Sequence, residues 1–203
     1  MMTRVKICGL SRKEDIEAVN EALPDYIGFV FAASKRRVNM KTAAMLKETL
    51  DPRIKAVGVF VNEDIRVISE IVQNGLIDLI QLHGDENDLY IEQLKKICSC
   101  SVIKAIGIGD ILPRSLPNQT DYLLFDTLSE QRGGIGRAFD WHVLKDDCNM
   151  PYFLAGGLSI ENISPAIQLL SPYCVDVSSG VETGGLKDAE KINEFVQTVR
   201  RIQ

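Results

Sequence analysis

The stretch VKICGL (residues 5–10) is the first of eight short apolar runs in the chain. The other seven are YIGFVF (26–31), KAVGVFV (55–61), LIQLHG (79–84), VIKAIGI (102–108), YLLFDT (122–127), YFLAGGL (152–158) and CVDVSSGVE (174–182). Consecutive apolar positions rich in Val, Ile, Phe and Tyr are typical of parallel strands that are covered on both faces. The runs start roughly 20–30 residues apart, which is the spacing of a repeated strand–helix unit.

Helical patterns lie between most of these runs. Apolar residues recur at helical spacing within residues 16–23, 65–72, 91–97, 163–170 and 189–202. Ser11 with Glu14 matches a capping box for the first helix, and Asn62 is a candidate cap for the helix after the third run. Residues 109–120 hold two prolines and no helical period, so we expect an irregular or missing fifth helix there. The glycine-rich residues 128–139 match no regular element.

Eight strand–helix units in a chain of 203 residues predict an α/β fold, a small (β/α)8 TIM barrel that forms a single domain over residues 1–203. The alternative is a doubly wound open sheet. Such sheets usually have fewer strands, and no G-x-G-x-x-G motif follows the first run. No linker-like composition divides the chain, and the barrel is therefore the favoured fold.

The composition excludes several classes of protein. Hydrophobic residues make up 45% and charged residues 25%, and the net charge is −5. A mildly acidic chain has no broad binding surface for nucleic acid or an anionic membrane. Charges interrupt the N-terminus before a secretory signal can form, and no run approaches the roughly 18 apolar residues of a membrane helix. We therefore expect a cytoplasmic protein without nucleic-acid or membrane partners.

The five cysteines form no recognisable framework. Disulfides are not expected without a secretory signal. Cys98 and Cys100 are too close in sequence for a usual zinc pair, and the two histidines lie far from them. We expect no metal site, and most of these thiols should fill space in the core.

In a (β/α)8 barrel the active site forms where the strands end, which makes Cys8 and Asp126 candidates for catalysis. Cys8 ends the first run and Asp126 ends the sixth, so the two lie across the barrel mouth from each other. A thiolate can remove a proton, and a buried carboxylic acid can donate one. Taken singly, Cys8 is better explained by core packing, and Asp126 is equally consistent with a helix cap or an ion pair.

The last two runs end in residues suited to phosphate. Gly156 and Gly157 stand directly before a predicted helix, where backbone N–H groups and the helix N-terminus attract anions. Ser178, Ser179 and Gly180 add hydroxyl and backbone donors after the eighth run. Glycines here can also be explained by tight turns alone. Because two such turns fall at neighbouring barrel positions, we expect a phosphate site.

Polar residues at two further strand ends are candidates for substrate binding. Arg36 lies in the loop after the second run and could bind a carboxylate bidentately, although spacing alone does not separate it from Lys35 and Arg37. Gln81 and His83 end the fourth run. His83 could shuttle protons or sit neutral in a hydrogen bond.

Nine segments occur in this order along the chain: KICGL, IGFVF, SKR, VGVFVN, IQLHGDE, LFDT, GGIGRAFDW, LAGGL and VDVSSGVE. Together they resemble the phosphoribosylanthranilate isomerase family of tryptophan biosynthesis, from Lys6 to about Lys187. The resemblance implies an Amadori rearrangement of N-(5-phosphoribosyl)anthranilate to 1-(2-carboxyphenylamino)-1-deoxyribulose 5-phosphate. It implies a small phosphorylated substrate and no metal or organic cofactor. The sequence itself leaves the oligomeric state open as a monomer or homodimer.

The resemblance also implies roles for the candidate residues. Cys8 would be the general base and Asp126 the general acid, Arg36 would hold the anthranilate carboxylate, and the turns after the seventh and eighth strands would hold the phosphate. The stretch FAASKRRV departs from the family pattern, because alanines precede the Ser-Lys-Arg where proline or a bulkier residue is expected.

Two other functions remain open at this point. The related aminoaldose isomerase of histidine synthesis places a carboxylate where Cys8 stands in this chain. A phosphate-binding or regulatory barrel with an inert, packed Cys8 would need no catalysis at all.

Overall fold

A computed structural model describes residues 2–109, 111–113, 115–127, 140–144 and 150–202. Eight parallel strands form a closed barrel in which each strand pairs with the next and the last pairs with the first. The strands are β1 (Arg4–Cys8), β2 (Tyr26–Val30), β3 (Lys55–Phe60), β4 (Leu79–Leu82), β5 (Ser101–Ile108), β6 (Tyr122–Thr127), β7 (Tyr152–Leu154) and β8 (Cys174–Val177). The eight predicted strands and the barrel are confirmed, and the open sheet is excluded.

Helices follow most of the strands and cover the outside of the barrel. They are α1 (Lys13–Ala22), α2 (Met40–Glu48), α3 (Ile65–Gln73), α4 (Asp88–Ile97), α5 (Ile163–Leu170) and α6 (Ala189–Arg201). Two 3₁₀ turns (Trp141–Leu144 and Ser179–Val181) and a two-stranded hairpin of β9 (Glu182–Thr183) and β10 (Leu186–Lys187) complete the described elements. No helix of the described residues has the length and apolar character needed to cross a membrane.

The described residues between β5 and β6 form no helix, as the two prolines predict. A proline lacks the backbone N–H that a helix interior needs, and the residue before it avoids helical geometry. Residues 128–139, for which the sequence predicts no regular element, lie outside the described residues.

Two predicted helix caps are wrong. Helix α1 has Arg12 at its N-cap, and the Asp15 carboxylate, not Glu14, accepts from the backbone N–H groups of Ser11 (2.9 Å) and Arg12 (3.0 Å). Helix α3 is capped by Asp64, whose side chain accepts from the N–H of Arg66. Asn62 has a left-handed φ of 51° and accepts instead from the N–H of Asp85, in the loop that follows β4.

The apolar side chains form two separate clusters. The larger cluster joins the outward faces of the strands to the inward faces of the helices. The smaller one fills the inside of the barrel with side chains from β2 to β8: Tyr26, Val57, Leu79, Ile103, Ala105, Leu124, Phe153, Ala155 and Cys174. This interior plug means that the barrel is a packed core and not a pore, so a substrate can enter only at a mouth.

Candidate active site

Strand alternation carries four polar side chains to the inside of the barrel mouth. Successive residues of a strand face opposite sides, so residues two apart share a face. Leu79, Leu124 and Cys174 belong to the interior plug. Gln81, Asp126 and Asp176 each follow one of them by two positions and therefore face inward one layer nearer the C-terminal ends. Cys8 reaches the same region from the last residue of β1.

Cys8 lies against the bare backbone of the neighbouring strand. A Cβ atom on Gly28 would come within 2.7 Å of the Cys8 Sγ, so the glycine leaves room for the thiol. Burial raises the pKa of the Cys8 thiol, and the nearby ammonium groups of Lys6 and Lys187 only partly offset this effect. An unperturbed thiol is already mostly protonated at neutral pH. Burial therefore favours the protonated form of Cys8.

Asp126 is fixed by a chain of hydrogen-bonding groups that includes both predicted residues of the fourth strand end. Its Oδ1 accepts from the backbone N–H of Thr127 (2.8 Å), and its Oδ2 lies 3.4 Å from His83 Nε2. Gln81 Nε2 lies 2.9 Å from His83 Nδ1. An amide NH₂ can only donate, so Nδ1 accepts and the proton of a neutral His83 is on Nε2, facing Asp126. Thus Gln81 and His83 lie beside the candidate acid.

Arg36 is the basic residue of its loop that turns toward the barrel mouth. Lys35 and Arg37 are exposed, and Arg37 Nε donates to a backbone carbonyl, whereas the Arg36 side chain is only 14% exposed. Its Nε and Nη2 donate to the two carboxylate oxygens of Glu182 at 2.7 and 2.9 Å. This contact uses one edge of the guanidinium and leaves the Nη1 edge for a second carboxylate.

Glu182 and Lys187, which the sequence reasoning missed, support this arrangement from the hairpin after β8. Lys187 Nζ donates to Glu182 Oε1 (2.7 Å) and to the backbone carbonyl of Ser178 (2.8 Å). Burial alone would raise the pKa of Glu182, but the hydrogen bonds from Arg36 and Lys187 outweigh burial and lower that pKa. Glu182 is therefore a carboxylate that holds Arg36 in place.

The loops after β7 and β8 come together as the phosphate prediction requires. Gly156 and Gly157 have φ values of 85° and 68°, which non-glycine residues rarely adopt. A Cβ on Gly180 would lie 2.0 Å from the Leu158 carbonyl oxygen, so only glycine lets the two loops touch. Asn162, at the N-cap of α5, donates to the Gly157 carbonyl (2.8 Å) and fixes the loop.

The two serines of this region have different surroundings. Ser178 Oγ donates to the backbone carbonyl of Cys8 (3.0 Å) and lies 3.3 Å from Lys187 Nζ, so its hydroxyl proton joins the ends of β8 and β1. Ser179 begins the 3₁₀ turn that follows β8. The hydroxyl proton of Ser178 is therefore already engaged by the end of β1.

Lys6 and Asp176 form a buried ion pair beneath Cys8, and the sequence reasoning missed both. Lys6 Nζ lies 2.8 Å from Asp176 Oδ2, and the two side chains are 0% and 7% exposed. The two residues are direct partners in the β1–β8 pairing. The sequence does contain a sign of this pair, because each apolar run, VKIC and CVDV, includes one charged residue. The charged residues alternate with valine and isoleucine, which face outward.

The fold and the mouth together define the class of protein: a (β/α)8-barrel enzyme with acid–base groups at the ends of its strands. The family model described as N-(5'phosphoribosyl)anthranilate (PRA) isomerase matches residues 5–198, and the chain belongs to that family.

Relatives and solved structures agree with this assignment over the whole chain. The N-(5'-phosphoribosyl)anthranilate isomerase of Endomicrobium trichonymphae is 48% identical over 202 residues, which are 99% of this chain and 100% of the relative. The phosphoribosyl anthranilate isomerase of Thermus thermophilus superposes with a TM-score of 0.88 at 30% identity, covering 99% of this chain and 100% of that one. Another isomerase, solved in complex with reduced 1-(o-carboxyphenylamino)-1-deoxyribulose 5-phosphate, has a TM-score of 0.82 at 32% identity, covering 98% and 100%.

Proposed function

We propose that this chain converts N-(5-phosphoribosyl)anthranilate to 1-(2-carboxyphenylamino)-1-deoxyribulose 5-phosphate, with Cys8 as the general base and Asp126 as the general acid. The observation that carries the proposal is the position of the two residues. Both lie at the C-terminal ends of strands on the inner side of one mouth, with β7 and β8 between them on one side of the barrel. One substrate can therefore contact a base and an acid at two different atoms.

The reaction needs proton transfer at two places. Asp126 in its protonated form donates to the ribose ring oxygen, the bond from that oxygen to C1 breaks, and the anilino nitrogen supplies electrons to form a cationic imine. The positive charge acidifies the hydrogen on C2. Cys8 as thiolate removes this proton to give an enolamine, and protonation at C1 with loss of the hydroxyl proton yields the ketone. Each positioned proton transfer contributes about 10²–10⁴-fold.

The neighbours of Asp126 suit the acid role. His83 Nε2 faces Asp126 Oδ2 at 3.4 Å, and Gln81 holds the opposite ring nitrogen at 2.9 Å. In this proposal the Nε2–H of neutral His83 stabilises the Asp126 carboxylate that ring opening leaves, and Gln81 keeps the ring in the tautomer that can do so. Asp126 regains its proton from solvent.

Anion-binding groups at the mouth suit the two ends of the substrate. Arg36 binds the anthranilate carboxylate through its Nη1 edge while Glu182 holds the other edge. The phosphate binds at the loops after β7 and β8, where Gly156, Gly157 and Gly180 expose backbone N–H groups near the N-terminus of α5. Ser179 and Ser178 complete that loop pair.

We also propose the location, the oligomeric state and the partners of the enzyme. The chain acts in the cytoplasm as a monomer or homodimer and as one catalytic domain over residues 1–203. Its partner is a small phosphorylated molecule, with no nucleic acid, membrane, metal or organic cofactor involved.

The two alternatives are less well supported by the site. The aminoaldose isomerase of histidine synthesis would need a carboxylate at the end of β1, where this chain has Cys8. A purely binding barrel would not need an acid held by a histidine and a glutamine.

Loss of anthranilate fluorescence tests the function directly. Purified wild-type protein is mixed with freshly made N-(5-phosphoribosyl)anthranilate. In parallel it is mixed with the aminoaldose substrate of histidine synthesis, which has no anthranilate and is followed by chromatographic separation of its ketose product. We expect turnover of the first compound only. Turnover of the second alone would transfer the assignment to the histidine enzyme, and tight binding of product analogue without any turnover would favour the binding barrel.

A further inference from the structure

The buried pair of Lys6 and Asp176 has no part in the proposed proton transfers. A buried ion pair is weak support for stability, because well-packed apolar residues of similar volume usually do as well or better. Strands β2 to β8 all contribute apolar side chains to the barrel interior, while β1 contributes Lys6. The charge in this position therefore calls for a reason other than packing.

Geometry places the Lys6 ammonium group directly under the candidate base. Lys6 and Cys8 are two residues apart in β1 and so share its inner face. Asp176 holds the ammonium at 2.8 Å from the neighbouring strand, and the charge of this ammonium lowers the pKa of Cys8. Burial opposes the charged form of Lys6, but its interactions with Asp176 and with Cys8 outweigh burial and raise its pKa. Lys6 is thus a permanent cation next to a thiol that must lose its proton.

We propose that Lys6 is a positioning residue for the base: its ammonium group, oriented by Asp176, stabilises the Cys8 thiolate that removes the substrate proton. This inference rests on the proposed role of Cys8. The thiol first releases its proton to solvent, and the thiolate then takes the C2 proton and becomes a thiol again. Lys6 keeps its own protons throughout, so only its charge acts on the reaction.

Other charged groups face Cys8, but their own contacts make them weaker candidates for stabilising its thiolate. The charge of Lys187 lowers the pKa of Cys8 less than that of Lys6 does, and its ammonium is bound by Glu182 and by the backbone carbonyl of Ser178. Arg36 also interacts with Cys8 by charge, and its guanidinium is engaged by Glu182. Asp176 acts in the opposite direction by raising the pKa of Cys8.

The double variant Lys6→Met with Asp176→Asn tests the proposal, because it removes both charges and leaves no buried charge unpaired. The rate of iodoacetamide alkylation at Cys8 is followed against pH by mass spectrometry of the Cys8 peptide. We expect the midpoint of alkylation to move to higher pH and the rate at pH 8 to fall at least tenfold. The alkaline rise of kcat/KM should move with it. An unchanged alkylation profile would overturn the proposal and leave the pair a structural bridge between β1 and β8.

A second buried pair in the same barrel is a matched control. Lys104 on β5 lies 3.0 Å from Glu86, and the two side chains are 5% and 1% exposed. The variant Lys104→Met with Glu86→Gln should leave the alkylation profile of Cys8 unchanged. An equal shift in this control would mean that loss of any buried pair disturbs Cys8, which would also refute the proposal.

A measurement on proteins with an intact ion pair covers the case in which the double variant does not fold. Lysine ε-carbons are labelled with ¹³C, and the Lys6 signal is titrated in wild type and in Cys8→Ala. We expect the wild-type signal to shift with the midpoint of Cys8 alkylation and the variant signal to stay constant; no shift in wild type would refute the proposal. Neither the alkylation rate nor the ¹³C titration uses turnover, so an inactive wild type would refute the proposed function alone.

Discussion

Replacement of Gly9 by alanine tests how the barrel mouth positions Arg36. Gly9 has a φ of 84°, and a Cβ there would lie 2.4 Å from the Arg36 Cδ. Carbon atoms in contact are normally about 3.5–4.0 Å apart, so the Arg36 chain would have to retreat by about 1 Å. The flexible side chain can do so, but its guanidinium would then leave the 2.7 and 2.9 Å contacts with Glu182.

Two energies contribute to the effect of this substitution. The positive φ alone costs an alanine about 1–2 kcal/mol, which lowers the Tm of a domain of this size by about 2–8 °C. Loss of the charge-assisted hydrogen bonds costs about 1.5–3 kcal/mol more. A misplaced guanidinium also loses its charge-assisted hydrogen bonds to the substrate carboxylate, which are worth about as much. Because about 1.4 kcal/mol corresponds to tenfold, the KM for phosphoribosylanthranilate should rise about 10–100-fold, with a smaller change in kcat.

Gly75→Ala is the control that shows the cost of the positive φ alone. Gly75 has a φ of 69°, but a Cβ there meets nothing within 4 Å. Steady-state fluorescence assays and thermal melts of the two variants should show a loss of Tm in both and a raised KM in Gly9→Ala only. If the KM of Gly9→Ala stays within twofold of the control, Arg36 does not bind the substrate as proposed.

Three further substitutions test other parts of the mouth. Arg36→Lys keeps the charge but loses the planar fork, so KM should rise at least tenfold with kcat nearly unchanged; an unaltered KM would argue against a bidentate carboxylate. Asn162→Ala removes the hydrogen bonds to the Gly157 carbonyl (2.8 Å) and the Ser159 N–H (2.9 Å). This variant should be inhibited several-fold more weakly by inorganic phosphate as a competitive inhibitor. Unchanged inhibition would place the phosphate elsewhere. Glu182→Gln should be less stable than wild type above pH 4.5, because Glu182 has a lowered pKa when folded and stabilises the protein as a carboxylate. That difference in Tm should vanish as the pH falls through the folded pKa, and a constant difference would show that the charge of Glu182 is not what stabilises the loop.

The strand ends could be predicted because they depend on short-range pattern. Apolar runs and the residue that closes each of them are visible in the sequence, and the barrel rule turns those positions into one site. Cys8, Gln81, Asp126 and Gly156 were found in this way. The helix caps at Ser11 and Asn62 were wrong because several neighbouring polar residues satisfy the same pattern, and tertiary contacts choose among them.

The missed residues depend on pairings between distant parts of the chain. Lys6 and Asp176 meet only because the barrel closes, and one residue of slip in the β1–β8 register would turn them to opposite faces. Arg36 and Glu182 are brought together by a loop after β2 and a hairpin after β8. No periodicity in the sequence predicts such contacts. The one feature that could have indicated them is a charged residue inside an apolar strand.

The turnover of Cys8→Ala and Asp126→Asn is the most direct test of the account. Each kcat for phosphoribosylanthranilate is compared with wild type and with Cys98→Ala, which removes a buried thiol at the end of α4, outside the mouth. Circular dichroism and thermal melts establish that each variant is folded. We predict that Cys8→Ala and Asp126→Asn each lose at least about 10²-fold in kcat while Cys98→Ala remains active. Full activity in a folded Cys8→Ala or Asp126→Asn would contradict the proposed acid–base pair.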